Sequence, residues 1–163
     1  MGTVRRATSL DAEELTRLRE CMFTDMGVEL VEPGWRESCV AAFAERLGPD
    51  GDMAAFVVDD ALAGHRAGRL VACAVGFVFT SLPGPSRPDG RTGQVLNIAT
   101  DEHARGHGYA RATTAALLDW FHGRGVRRIE LHATPPAEAL ARSLGFTQLT
   151  SRALTWAEKR PVL

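Results

Sequence analysis

The sequence predicts a mixed α/β fold (α+β), one sheet with helices packed against it, and three observations carry that expectation. Strand-type and helix-type stretches follow the order β-α-α-β-β-β-α-β-α-β, with an extra closing strand at the end. Two β-rich apolar runs, 53–58 and 69–80, lie either side of the turn-like stretch 59–68 and predict an antiparallel hairpin. A later strand, 94–100, leads through a glycine-rich turn into a long helix, 108–122. At 163 residues the chain is the size of one domain, 1–163, which buries about two-thirds of its unfolded surface.

The elements follow in order. Residues 3–8 predict the first strand. Asp11 and Glu14 have the spacing of an N-cap and its N3 partner; Leu15, Leu18, Met22 and Met26 then recur at helical intervals up to Gly27. Pro33 suits the first turn of a second helix, whose apolar positions are Trp35, Cys39, Val40, Phe43 and Leu47 before Gly48. Residues 82–93 hold three prolines and three glycines and predict a mobile loop. The helix 108–122 places Ala112, Ala115, Leu117 and Phe121 among its apolar positions and ends at Gly123 and Gly125. In the strand 128–133, Ile129 and Leu131 point one way and Glu130 and His132 the other. Residues 136–144 predict a short helix closed by Gly145, and 146–156 predict one or two closing strands.

Composition narrows the partners. A net charge of −1 argues against a general grip on nucleic acid, which needs a basic excess. With 45% hydrophobic and 24% charged residues the chain is globular rather than disordered. Cys21, Cys39 and Cys73 are odd in number and form no CxxC pair, so they predict reduced thiols in a cytoplasmic protein, with Cys39 and Cys73 in the core. The opening Met1-Gly2-Thr3-Val4-Arg5-Arg6 has no apolar run behind its charges and predicts no signal peptide. The longest apolar stretch, 70–80, is short of the ~20 residues a membrane helix requires, so no membrane partner is expected.

The segment Arg105-Gly106-His107-Gly108-Tyr109-Ala110 carries the functional argument. It stands between a strand and a helix, where the first helical turn offers free N–H groups and the positive end of the dipole. Glycines there let an anion approach the backbone without a Cβ in the way. The dinucleotide string G-x-G-x-x-G and the triphosphate string G-x-x-x-x-G-K are both absent. A glycine-eased turn with no ligand is the plain alternative. His103 and His107 lack a third ligand at metal spacing, so no metal is expected.

On these residues the chain resembles the GNAT superfamily of CoA-dependent N-acetyltransferases. That family's hallmark is arginine or glutamine, two residues, glycine, one residue, then glycine or alanine, matched here by Arg105, Gly108 and Ala110. Asn97-Ile98-Ala99-Thr100-Asp101 resembles its fourth strand, Val4-Arg5-Arg6-Ala7-Thr8 its opening, and Leu144-Gly145-Phe146 the turn into its last strands. The resemblance implies a GNAT-like fold, a central, mostly antiparallel sheet of six to seven strands flanked by about four helices. It implies acetyl-CoA as cosubstrate. The amides of Gly106, His107, Gly108, Tyr109, Ala110 and Arg111, with Arg105, would hold the pyrophosphate. The backbone of Ile98, Ala99 and Thr100 would pair with the pantetheine arm. An amine acceptor, and for many such proteins a homodimer, complete the expected partners.

The chemistry expected is direct acyl transfer to an amine, which needs a proton acceptor. Glu130 is the first candidate base, with His132 on the same strand face as its relay. Many family members carry a tyrosine four residues before the glycine of Gly-Phe as general acid; here that position is Ala141. Ser143, His132 or water is left to protonate the thiolate. Asp25, Glu29 and Glu32 are candidates for an acidic acceptor wall, and Arg124, Arg127 and Arg128 for contact with the adenosine 3′-phosphate.

Overall fold

A computed structural model describes residues 2–61, 68–150 and 154–156. The chain opens with β1, Val4–Arg6, followed by a 3-10 turn, Ser9–Asp11, and α1, Ala12–Asp25. Asp11 is the N-cap residue of α1, as expected, but its side chain bonds no amide of that helix. It closes a capping box on the 3-10 turn instead: Thr8 is the N-cap there and Asp11 its N3 partner, whose carboxylate accepts from the Thr8 N–H at 2.8 Å. Burial alone would push the Asp11 carboxyl up, but bonds from Arg5 and Thr8 outweigh it and hold it below the ordinary carboxylate value. Glu14 is no cap partner; it accepts from the Leu70 N–H at 3.0 Å. Met26, expected on the apolar stripe, lies past the end of α1 and is exposed.

The second helix, α2, runs Trp35–Arg46. It starts after Gly34, whose φ of 81° only glycine adopts without cost, so Pro33 sits in the turn before rather than in the helix. Then come β2, Met53–Asp59, β3, Leu70–Thr80, and β4, Arg91–Thr100. The expected hairpin is present: β2 and β3 pair antiparallel from Met53 opposite Phe77 to Asp59 opposite Leu70. Most of its predicted connection, 59–68, lies outside the described residues. The predicted loop 82–93 is shorter than expected, because Arg91, Thr92 and Gly93 already pair with Thr80, Phe79 and Val78.

The chain continues through α3, Tyr109–Gly123, β5, Ile129–Leu131, and α4, Pro135–Ser143. The sheet order is β1-β2-β3-β4-β5, antiparallel except for the parallel pair β4 and β5. The mixed, mostly antiparallel class is as expected, but among the described residues the sheet has five strands, not six to seven. Residues 146–150 and 154–156 of the expected closing strands are not in strand conformation, and the remainder lies outside the described residues. Leu154 and Trp156 are about nine-tenths exposed, at 94% and 87%, so their apolar side chains find no sheet face there.

Alternation along the strands fills two cores. Leu15 and Leu18 of α1 and Phe43 of α2 pack on Ala55, Val57, Cys73, Val75 and Ala99. On the other face Leu117 and Phe121 of α3 pack on Ala54, Ala74 and Val95, with Ile98 and Ile129 beside them. Phe121 fits because Gly76 and Gly93 have no side chain: a Cβ on either would stand 2.7 Å from its ring. Gly93→Ala is therefore expected to cost about 1–3 kcal/mol through overpacking. A thermal midpoint unchanged in that variant would show that Phe121 has room to shift.

Candidate functional site

Strand β4 sets the geometry. Its register against β3 slips by one: Val75 faces Asn97 while Gly76 faces Val95, so Leu96 is an extra residue. Val95 and Ile98 consequently face the α3 side although they are an odd number of residues apart. On its other edge β4 pairs with β5 only at Gly93, Gln94 and Val95, opposite Ile129, Glu130 and Leu131. The extra residue, Leu96, follows directly on the end of that pairing. Beyond it, the edge of β4 from Leu96 to Thr100 has no strand partner among the described residues, and the two strands form a fork.

The open arm of the fork ends at the glycine loop. Ile98, Ala99 and Thr100 form its last turn of strand, and the Thr100 hydroxyl is buried with no hydrogen-bond partner. A 3-10 turn, Glu102–Ala104, then leads to Arg105. Gly106 and Gly108 have φ of 79° and 77°, and a Cβ built on either meets no atom within 4 Å. Gly108 caps α3 with no side chain bonded to the first turn. The amides of Gly106, His107, Gly108, Tyr109, Ala110 and Arg111 donate to no carbonyl among the described residues. They form an open row at the positive end of a 15-residue helix. A diphosphate fits such a row, since charge and hydrogen-bond donors coincide and nothing fills the space above them.

The loop is held from beneath by its side chains. Arg105 donates from Nε to the Thr100 carbonyl at 3.2 Å and pairs through Nη2 with Asp25 at the end of α1. His107 donates from Nδ1 to the Arg105 carbonyl at 2.9 Å and stacks on Tyr109 at 5.7 Å, so its ring braces the loop. Tyr109 accepts from the Gly2 N–H at 3.2 Å. Arg111 reaches the Ser143 hydroxyl at 2.6 Å and ties the start of α3 to the end of α4.

Sequence reasoning missed the ion network behind the loop. Arg17 of α1 bonds Asp101 at 2.9 Å, Glu14 at 3.0 Å and the Leu70 carbonyl at 2.7 Å. Asp101 is 6% exposed and starts the turn that becomes the loop. The Glu14–Arg17 spacing of i, i+3 was the available signal.

The proposed chemical residues are partly assembled. Glu130 lies beside Gln94, and Arg128 fixes its carboxylate at 2.8 Å. His132 follows Leu131 directly, which places it at the crotch where β5 leaves β4. It is exposed, and it makes no hydrogen bond or ion pair among the described residues. Both line a cleft of about 1450 Å³ between β5, α4 and the loop before β4, and Ala141 is on its wall. Ser143 donates its hydroxyl to the Leu140 carbonyl at 2.7 Å, so that proton is committed.

Other expectations are corrected. Arg124 stacks over Trp120 at 4.7 Å and Arg128 pairs with Glu130, both beyond the far end of α3. At 1.5 Å per residue that end is about 22 Å from the loop, too far for the 3′-phosphate of a ligand seated there. Asp25 is engaged by Arg105, and Glu29 and Glu32 line a second cavity together with Trp35. Phe43 is core, whereas Trp35 lines that cavity with Phe23, edge to face at 6.1 Å. Cys73 is fully buried and its thiol is pushed up to about 12 by that burial, so it supplies no thiolate near neutral pH. Cys39 is half-buried and packs against the core from its margin. Among the described residues no three His, Cys, Asp or Glu side chains group as metal ligands do, and no helix is long and apolar enough to cross a membrane.

Comparison with known proteins places this architecture among acetyltransferases. A predicted acetyltransferase from Clostridium acetobutylicum, solved with acetyl-CoA, superposes with a TM-score of 0.81 at 20% identity over 98% of this chain and 96% of that one. A GCN5-related N-acetyltransferase from Ralstonia eutropha gives 0.81 at 25% identity over 97% and 100%. In sequence, a mycothiol acetyltransferase of Beutenbergia cavernae is 38% identical over 69 residues, 40% of this chain but only 23% of that protein. The model of the acetyltransferase (GNAT) family matches residues 13–146, and the chain belongs to that family.

Proposed function

We propose that the chain, acting as one acyltransferase domain over 1–163, transfers an acetyl group from acetyl-CoA to a primary amine of a small molecule or peptide. The observation that carries the reading is the continuous path from the fork of β4 and β5 to the uncapped amides of Gly106 to Arg111. The amides hold the diphosphate, with Arg105 and His107 keeping their row in shape. The open edge at Ile98, Ala99 and Thr100 pairs with the pantetheine arm, and the orphaned Thr100 hydroxyl gains a partner. When bound, acetyl-CoA supplies an activated thioester.

The amine attacks directly, since the thiol nearest the fork, Cys73, is not ionised. His132 at the crotch takes the amine's proton and Glu130, held by Arg128, receives or orients it. With alanine at position 141 and the Ser143 proton committed, water protonates the departing thiolate, which is stable enough to leave unaided. The absence of a tyrosine at Ala141 favours a second reading, a CoA-binding module without turnover.

A thiol-release assay with acetyl-CoA and a panel of amines separates the two. Turnover above buffer supports the enzyme; CoA binding with no turnover over the panel supports the module. His132→Gln is expected to lower kcat about 100-fold with CoA affinity unchanged. An unaltered kcat removes His132 from the reaction.

A further inference from the structure

On the other side of the fork lies a cavity of about 500 Å³ between the end of α1, the linker to α2, and α2 itself. Phe23, Val28, Leu30, Val31 and Trp35 give it an apolar lining. Arg19 enters from α1. Its guanidinium lies 4.7 Å over the Phe23 ring and reaches the Asn97 side-chain oxygen at 3.5 Å. Asn97 is 1% exposed, faces the α1 side, and directly follows the extra residue Leu96. Arg19, on the cavity's wall, therefore reaches β4 where the fork opens.

Arg19 differs from its neighbours. Arg5, Arg17 and Arg36 each pair with carboxylates, Asp11 and Asp59, Asp101 and Glu14, and Glu20 respectively. No ion pair of Arg19 with an acidic side chain is present among the described residues. It is a half-buried cation, preorganised by stacking on an aromatic ring, with apolar walls around it. Such a site binds a carboxylate by a charge-assisted, two-pronged contact.

We propose that the acceptor is an α-amino acid with a bulky apolar or aromatic side chain. The inference rests on the acetyl-transfer reading and names the acceptor class for it. The carboxylate on Arg19 and the attacking nitrogen must both lie beside β4, and in an α-amino acid one carbon separates them. The side chain then extends outward between Phe23 and Trp35. Glu29 in the lining disfavours a second negative charge, so aspartate and glutamate are poor acceptors.

The test compares phenylalanine with phenethylamine, which lacks only the carboxylate, in wild-type protein with acetyl-CoA. Phenylalanine is expected to give at least a 100-fold higher kcat/KM. Equal or better use of phenethylamine overturns the proposal. Calorimetry of phenylalanine with the CoA complex supplies a readout that needs no turnover. Binding that weakens at least 10-fold in Arg19→Met and recovers in part in Arg19→Lys supports the site. No binding, or binding indifferent to Arg19→Met, overturns it. Binding without turnover overturns the acetyl-transfer reading alone.

Discussion

Gly108→Glu is expected to abolish CoA binding, reducing affinity by about 1000-fold. The added carboxylate would stand within the row of amides, about 4 Å from a bound phosphate. At an effective dielectric near 20, two like charges at that distance repel by about 4 kcal/mol. The position has φ of 77°, so any side chain also strains the backbone, by roughly 1–2 kcal/mol. Gly108→Ala carries that strain without the charge, and open space surrounds its Cβ, so its loss in affinity is expected to be about 10-fold. Titration calorimetry with CoA measures both. Equal affinities for wild type and Gly108→Glu would remove the diphosphate from this loop.

The second large effect is on stability. Arg17→Met removes the cation that holds Asp101 and Glu14, leaving Asp101 buried with Arg69 at 3.6 Å as its remaining ion-pair partner. Breaking a buried pair from one side costs about 3 kcal/mol or more, and a domain of this size loses about 2–4 °C per kcal/mol. A fall of about 10 °C in Tm is expected. Arg17→Met with Asp101→Asn should recover part of it, because the stranded charge is gone. A midpoint within ~1 °C of wild type for Arg17→Met would show that Arg69 alone neutralises Asp101.

Much of the site was legible because glycine leaves a mark in sequence. Gly106 and Gly108 announced a turn open to an anion before a helix, and the structure has that turn, with both glycines in the left-handed region. The hairpin and α3 were legible from β-rich runs and from helical spacing. What was not legible depended on partners distant in sequence. Asp11 stands at the N-cap of α1 as expected, but its side chain caps nothing there, because Arg5 and the Thr8 amide claim the carboxylate. β4 starts at Arg91 because Arg91, Thr92 and Gly93 pair with the far end of β3, a partner the glycine- and proline-rich composition of 82–93 does not reveal. The Arg17–Asp101 pair joins residues 84 apart, and only the fold brings them together. The closing strands were inferred from apolar residues, but Leu154 and Trp156 remain outside the core.

The extra residue Leu96 has a consequence for how this protein can change over time. Val95 and Ile98 face α3, while Asn97 and Ala99 face α1. Removing Leu96 would leave ordinary alternation with every one of those side chains on its present side. Neither core would be reshuffled, so the insertion contributes curvature and little else. Loss of one codon is expected to remove the register slip and with it the fork, so that a protein that still folds would lose the site proposed above. Descendants that keep the scaffold for another purpose are one small step away, and the same deletion offers the laboratory a stable, inactive counterpart.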